Sequence, residues 1–540
     1  MPSEASCLAK AARRCFYLAV GLFLLPFLAL FLLLLWAWGC VCEHCCVRDG
    51  AWLLGEGGEA KSGLPPARET TVNRRVMRLL EEQIRAGRQL GVHVVAYSRG
   101  MLIVDCWAGS DGESAAVGPE TLYPSFSVGK GVAASCAALC VDRGQLDYDE
   151  HLTERLWPEF AQRDPRITVA QALSHRAGVR AGGDFFPPLW HWLCAVRGDW
   201  RSAWETGVRW VEEAEPQWVP GTEAKYHVLS FSFIAGGIVE RAAGTHITEV
   251  TREVATLLGE KEGLHLGCVP DTTRPRVTKL RRLWGLLRPP PKAPATTCST
   301  TPIMTSAHYA TDDGEPSKAL DHATTTATTS TTTGATATPE PQIGCVRRLF
   351  LYLEMFLLPS FANSSWWLGF CLPSSNGVFN ARAVGKMYGA LANNGAIIDN
   401  PLGGSSAVTR KLISPQTCAA IVSTISDPAN TLETPRGAAR LGLGWRPWLD
   451  GSVTGASQAV LHHSGLGGSF GFADPGPAKL GVAVLRNGYT PVALNLDPVC
   501  QTTREICSLI REHCEQESGG GGLSGASSSD GGRRWPHGAM

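Results

Sequence analysis

Ser127 has a lysine three residues on, in the stretch Tyr123-Pro-Ser-Phe-Ser127-Val-Gly-Lys130, and no other serine of the chain does. Residues 127 to 142 follow a helical pattern after a proline-containing turn. That puts Ser127 at a helix N-terminus and Lys130 one turn on, on the same face. A serine hydroxyl is a poor nucleophile until a neighbour takes its proton. A lysine whose ammonium form is disfavoured by a dry pocket can take it, and the helix N-terminus stabilises developing negative charge. Taken alone, the same spacing also reads as an N-capping serine followed by a solvated lysine.

Further motifs follow in order: Leu173-Ser-His175-Arg-Ala-Gly178, then Trp218-Val-Pro220-Gly221 running into Tyr226-His-Val228, then His462-His463-Ser464-Gly465-Leu466-Gly467-Gly468. With these four stretches in this sequence the chain resembles the serine β-lactamase and penicillin-binding-protein superfamily. The likeness is to the branch that holds class C β-lactamases, family VIII carboxylesterases and eukaryotic β-lactamase domain-containing proteins. It covers about 69–517 apart from an insertion. The resemblance implies that Ser127 is acylated, that Lys130 shuttles its proton, and that Tyr226 shares the general-base role. It places His463, Ser464 and Gly465 on a strand bordering the pocket, and it makes the backbone N–H groups of Ser127 and Leu466 the oxyanion hole. The substrate would be a small-molecule ester or amide, and no cofactor or metal is implied.

Two positions depart from the lactamase pattern. Val228 stands where the Tyr-x-Asn motif has its asparagine, which removes one polar handle on an amide side chain. His463 stands where Lys-Thr-Gly has its lysine, and an unperturbed imidazole at about 6.5 is mostly neutral at pH 7. Both changes leave the acylation machinery and favour esters over β-lactams. His175, in its turn motif, reads as structural. His462 and His463 are neighbours on a strand and face opposite sides, which argues against a shared metal. A catalytically silent descendant used for binding or assembly is the competing function.

These residues need a frame to position them. Val72, Val76, Leu79, Leu80 and Ile84 are spaced as one helix face. Residues 93–97 and 101–107 read as a hairpin, residues 469–473 and 480–485 as a second, and residues 498–514 as a closing helix. Cys500, Cys507 and Cys514 repeat every seven residues along that helix and suit one buried face. The pattern predicts an α+β fold, an antiparallel sheet formed from both ends of the chain and flanked by helices, with an all-helical lobe between them.

The chain has 540 residues, enough for more than one lobe. Lys+Arg and Asp+Glu both total 49, so no basic surplus supports nucleic-acid binding. Phe16–Trp38 carries no charge and follows Lys10, Arg13 and Arg14; at about 1.5 Å per residue it reaches roughly 34 Å, enough to cross a bilayer core. The sequence therefore predicts a cytosolic tail (1–15), a transmembrane helix (16–38) that makes the membrane a partner, a stalk (39–68) and a hydrolase domain (69–517) facing lumen or exterior. Mitochondrial targeting is the alternative location. Within the domain a Thr/Pro-rich insertion spans 272–344, where Thr324–Thr338 holds 10 threonines in 15 residues, and a Gly/Ser-rich tail spans 518–540. Asn363-Ser364-Ser365 is a glycosylation sequon that a lumenal domain would expose to modification. Residues 349–358, with Trp366 and Trp367, read as a buried helix or a flap, too short to span a bilayer.

Overall fold

A computed structural model describes residues 58–152, 155–161, 166–179, 199–283, 359–398, 409–427, 432–433, 440–448, 460–489 and 498–519. Chain contacts divide the sequence into 1–56 and 57–540, and the first unit lies outside the described residues. So do the predicted membrane helix 16–38, the Thr-rich run, residues 349–358 and most of the tail. Among the described residues no helix is long and apolar enough to cross a membrane.

Ten strands frame the site. They are β1 (Lys61–Ser62), β2 (Gly91–Ser98), β3 (Met101–Gly109), β4 (Tyr123–Phe126), β5 (Leu264–Leu266), β6 (Gly377–Phe379), β7 (Arg446–Trp448), β8 (Val460–Ser464), β9 (Phe470–Asp474) and β10 (Leu480–Arg486). The main sheet has seven antiparallel strands in the order β1-β3-β2-β10-β9-β8-β7, so the two predicted hairpins meet where β10 pairs with β2. Both ends of the chain do build it. A smaller antiparallel sheet has the order β4-β6-β5.

The helices that matter are α1 (Thr71–Arg85), α2 (Val128–Asp142), α3 (Ser230–Ala243), α4 (Ile247–Leu258), α5 (Ala381–Ala392) and α6 (Pro498–Gly519). Strand β2 buries both faces, which is why its apolar residues run almost unbroken. Val92, Val94 and Ala96 join Val72, Val76 and Leu80 of α1 and Ile506, Cys507, Ile510 and Cys514 of α6 in one core cluster. Val95 and Tyr97 point into the other core, shared with Val384, Met387 and Tyr388 of α5 and with the apolar residues of the central helix α2. Every residue of α2 from Val128 to Cys140 is buried, the pattern of a helix apolar all round.

Two predicted boundaries move. Lys61–Ser62, placed in the stalk by composition, form the edge strand on β3, and Ala60 and Leu64 are buried. The break expected from residue 272 starts later: Val277 and Leu280 are buried and Arg281–Arg282 pair in parallel with Gly488–Tyr489. In both places a few apolar residues set among Gly, Pro and Arg anchor the chain, and average composition hides them.

Candidate active site

The chain enters the site through a strained turn. Phe126, the last residue of β4, has φ +47, a left-handed conformation that costs a bulky residue on the order of 1 kcal/mol and survives only where the surroundings enforce it. A register shift between Pro124 and Phe126 in the β4–β6 pairing marks the same place. Ser127 follows at the N-cap position of α2, yet its side chain makes no capping hydrogen bond. Lys130, one turn on, has 0% exposure. The reading as a capping serine before a solvated lysine is thereby excluded.

Lys130 Nζ lies 3.4 Å from Ser127 Oγ, 3.1 Å from the carbonyl of Val228 and 2.9 Å from the carbonyl of Ser374. Burial, and then the positive charge of Arg446, push its pKa well below the ordinary lysine value. Tyr226 is close enough for the Ser127 hydroxyl to influence its phenol, and Lys130 Nζ sits 4.7 Å from the tyrosine ring centroid. Burial raises the Tyr226 pKa, while Arg446 and the Ser127 contact pull the other way. The three residues singled out in the sequence are therefore brought together, with the proton favoured on the phenol and disfavoured on the amine.

Strand β8 closes one side. A Cβ on Gly465 would fall 2.1 Å from the carbonyl oxygen of Ser125, so only glycine lets the end of this strand approach the serine-bearing segment. His463 is buried, and its ring centroid is 6.2 Å from that of Tyr226. Its Nδ1–H donates to the Ser464 carbonyl at 2.8 Å, which leaves Nε2 as a buried lone pair without a partner among the described residues. Burial, then Lys130 and Arg446, hold this imidazole neutral, its pKa well below the usual histidine range. Ser464 and Leu466 are partly buried beside it. His462 faces away, packed on Phe470 at 5.5 Å between centroids. Among the described residues no group of three His, Cys, Asp or Glu side chains is placed to hold a metal.

His175 supports the site from behind. It is buried with φ +62, its Nδ1 accepts from the His227 backbone N–H at 3.0 Å, and its ring lies 5.0 Å from Tyr226 and 4.6 Å from Phe231. Asn363 lies elsewhere: its Oδ1 accepts from the Leu280 N–H at 2.8 Å and its Nδ2 donates to the Leu280 carbonyl at 3.0 Å, tying the chain before the insertion to the chain after it.

Two further residues belong to the site and carry no sequence signal. Arg446, on the edge strand β7, places its guanidinium 5.2 Å from the Tyr226 ring centroid, and its buried Nε has no partner among the described residues. Ser374 offers Lys130 its carbonyl, and its hydroxyl donates to the Val228 carbonyl at 2.7 Å. They stand 316 and 244 residues from Lys130, and nothing in their local sequence sets them apart.

A cluster of a half-buried serine and tyrosine around a fully buried lysine, at the start of a buried helix and between an antiparallel sheet and a helical lobe, has the arrangement of a serine-hydrolase site. Residues 76–498 match the beta-lactamase family, and the chain belongs to it. It is a serine hydrolase of that family. A curated relative, the "Esterase/beta-lactamase LipL" of Mycobacterium tuberculosis, is 25% identical over 397 residues, 72% of this chain and 75% of the relative. Among solved structures, a family VIII carboxylesterase superposes with TM-score 0.57 at 21% identity, over 84% of this chain and 100% of that one. EstA from Arthrobacter nitroguajacolicus Rue61a gives TM-score 0.55 at 20% identity, over 85% and 99%. A penicillin-binding-protein homologue from Caulobacter crescentus gives 0.53 at 23%, over 82% and 100%.

Proposed function

We propose that the protein hydrolyses carboxylic esters of small molecules through an acyl-enzyme on Ser127. The observation that carries this reading is the placement of Lys130. Its two shorter contacts go to carbonyl oxygens, which only accept, so a neutral amine uses both N–H groups there and turns its lone pair to the Ser127 hydroxyl. Lys130 takes the Ser127 proton as Oγ bonds to the ester carbonyl carbon. The oxyanion is held by the backbone N–H groups of Ser127 and Leu466, a pairing supported by the close approach at Gly465. The C–O bond to the alcohol then breaks, and the leaving alkoxide takes the Tyr226 hydroxyl proton while the Lys130 ammonium replaces it. Water then attacks the acyl carbon as its proton is relayed through Tyr226 to Lys130; the C–Oγ bond breaks, the Lys130 ammonium returns that proton to Oγ, and the carboxylic acid leaves with Ser127 restored.

Esters are preferred to β-lactams on Val228, which offers no side-chain amide, and on the neutral His463. Arg446 keeps one positive charge on this side of the site, so the comparison that tests the preference uses uncharged esters. A short-chain p-nitrophenyl ester should show a higher kcat/KM than a chromogenic cephalosporin, and the reverse ranking would remove the esterase reading while leaving Ser127 in place.

The same reading takes Phe16–Trp38 as a membrane anchor with the N-terminus cytosolic and the domain lumenal or extracellular. Glycosidase treatment tests it through the sequon at Asn363. Because the Asn363 carboxamide is used in packing, the informative variant is Ser365→Ala, which removes the sequon and leaves the Leu280 contacts. A mobility shift abolished by Ser365→Ala supports a lumenal domain, whereas protease accessibility from the cytosolic side of intact vesicles contradicts it.

A further inference from the structure

The polar network under Lys130 continues into a pair of cysteines that the catalytic cluster does not use. Cys268 follows β5 and Cys371 precedes β6, so they stand on opposite sides of the insertion and 103 positions apart in sequence. Their segments run alongside each other. The Cys268 N–H donates to the Phe370 carbonyl at 3.3 Å and the Val269 N–H to the Leu368 carbonyl at 2.9 Å. Gly267 makes the approach possible: it has φ +72, and a Cβ there would meet the Phe370 carbonyl oxygen at 2.0 Å. Burial first, and then the neighbouring Cys268 across this junction, hold the Cys371 thiol pKa well above the usual thiol value. Cys371 is buried and Cys268 partly exposed.

The other described cysteines are placed differently. Cys136 contacts Thr251 Oγ1 at 3.5 Å, and Cys507 and Cys514 fill the core beneath α1. We propose that Cys268 and Cys371 are a disulfide site, oxidised in a lumenal or extracellular compartment, and that the bond staples the two flanks of the insertion beneath the turn that receives Lys130. That turn is short and already knit: the Leu372 N–H donates to Asn376 Oδ1 at 2.9 Å, Asn376 Nδ2 donates to the Trp367 and Phe370 carbonyls at 3.0 and 2.6 Å, and Ser374 presents its carbonyl to Lys130. A bond at Cys371 fixes its first residue.

The chemistry needs an external disulfide oxidant, here of the glutathione class. The partly exposed Cys268 thiolate attacks one sulfur of glutathione disulfide, breaking its S–S bond and expelling one glutathione thiolate. Cys371 then loses its proton and attacks the Cys268 sulfur, expelling the second glutathione. Two protein thiols are oxidised by two electrons and one disulfide is reduced to two thiols. Burial disfavours the Cys371 thiolate, which places the first step at Cys268.

The test uses the full chain, reduced and then incubated with excess glutathione disulfide. A non-reduced proteolytic digest should contain a Cys268 peptide joined to a Cys371 peptide, lighter by two hydrogens than their sum. The oxidised protein should unfold at a temperature higher by on the order of 5 °C than the reduced one, because a cross-link over so long a loop restricts the unfolded chain most. Cys268→Ser should remove both the linked peptide and the redox dependence of the midpoint. Alkylation of both thiols after oxidation, or Cys371 joined to a different cysteine, would overturn the proposal.

Discussion

Among the described residues, the ionisable cluster around Asp105 and the one around Lys130 differ in charge balance, and only the second has the balance that the proposed chemistry needs. On the main sheet, Asp105 is flanked by His93, whose Nε2 lies 2.8 Å from Oδ1, and by Arg382, which reaches Oδ2 from Nε at 3.0 Å and from Nη2 at 2.8 Å. The Asp105 backbone N–H donates to Asn73 Oδ1 at 3.1 Å, and Gly63 donates to the Asp105 carbonyl at 2.7 Å. This charge is compensated, and it fastens the N-terminal segment, the sheet and α5 together. At the start of α2 the situation is reversed. Lys130 and Arg446 bring two basic groups into a dry site, and among the described residues no carboxylate forms an ion pair with either. Compensated charge holds the fold; uncompensated charge shifts protonation states, which catalysis requires.

The sharpest way to break this contrast is to remove one member of each cluster. Lys130→Met should lower kcat/KM for an aryl ester by about 10³-fold, roughly 4 kcal/mol of barrier, with the unfolding midpoint within a few degrees of wild type. A buried amine makes little favourable contribution to stability, and the Val228 carbonyl keeps the Ser374 hydroxyl as a donor. Asp105→Asn should do the opposite, destabilising by about 3 kcal/mol while the folded fraction retains its kcat. Burial alone would raise the Asp105 pKa, but the hydrogen bond and charge of His93, with Arg382, bring it below the ordinary carboxylate value. A depressed folded pKa contributes stability that is present above the unfolded value, about 3.9, and lost as pH falls through the lower folded one. Acid titrations of stability should therefore be flatter below about pH 4 in Asp105→Asn than in wild type.

Arg446→Leu gives a smaller effect that tests electrostatics alone. Its charge disfavours the Lys130 ammonium and favours the Tyr226 phenolate, so its removal raises both pKa values. The proposed mechanism requires neutral Lys130 and protonated Tyr226. Both limbs of the kcat/KM profile should move to higher pH, and an unmoved acidic limb would show that burial alone tunes the lysine. The smallest effect is Val228→Asn, which restores a polar handle worth about 1 kcal/mol and should raise cephalosporin turnover by no more than about tenfold.

Much of this frame was legible in the sequence because its signals are local. The hairpins at 91–109 and 470–486, α1 and α6 announce themselves by periodicity, and Ser127, Lys130 and Tyr226 by ordered motifs. What was hidden depends on distant segments meeting. Arg446 reaches Tyr226 from an edge strand, Ser374 reaches Lys130 from beyond the insertion, and Asp105 finds Arg382 on α5. No residue type or spacing encodes those encounters. The left-handed Phe126 was hidden for another reason, since a bulky residue adopts that conformation only when tertiary packing imposes it.

The central claim is that Ser127 is acylated because Lys130 takes its proton, and covalent labelling measures it directly. The intact protein treated with a fluorophosphonate should gain one adduct, mapped by peptide mass to Ser127. Labelling should disappear in Ser127→Ala and slow by about 10² or more in Lys130→Met. An adduct on another serine, or equal labelling of Ser127→Ala, would contradict the account.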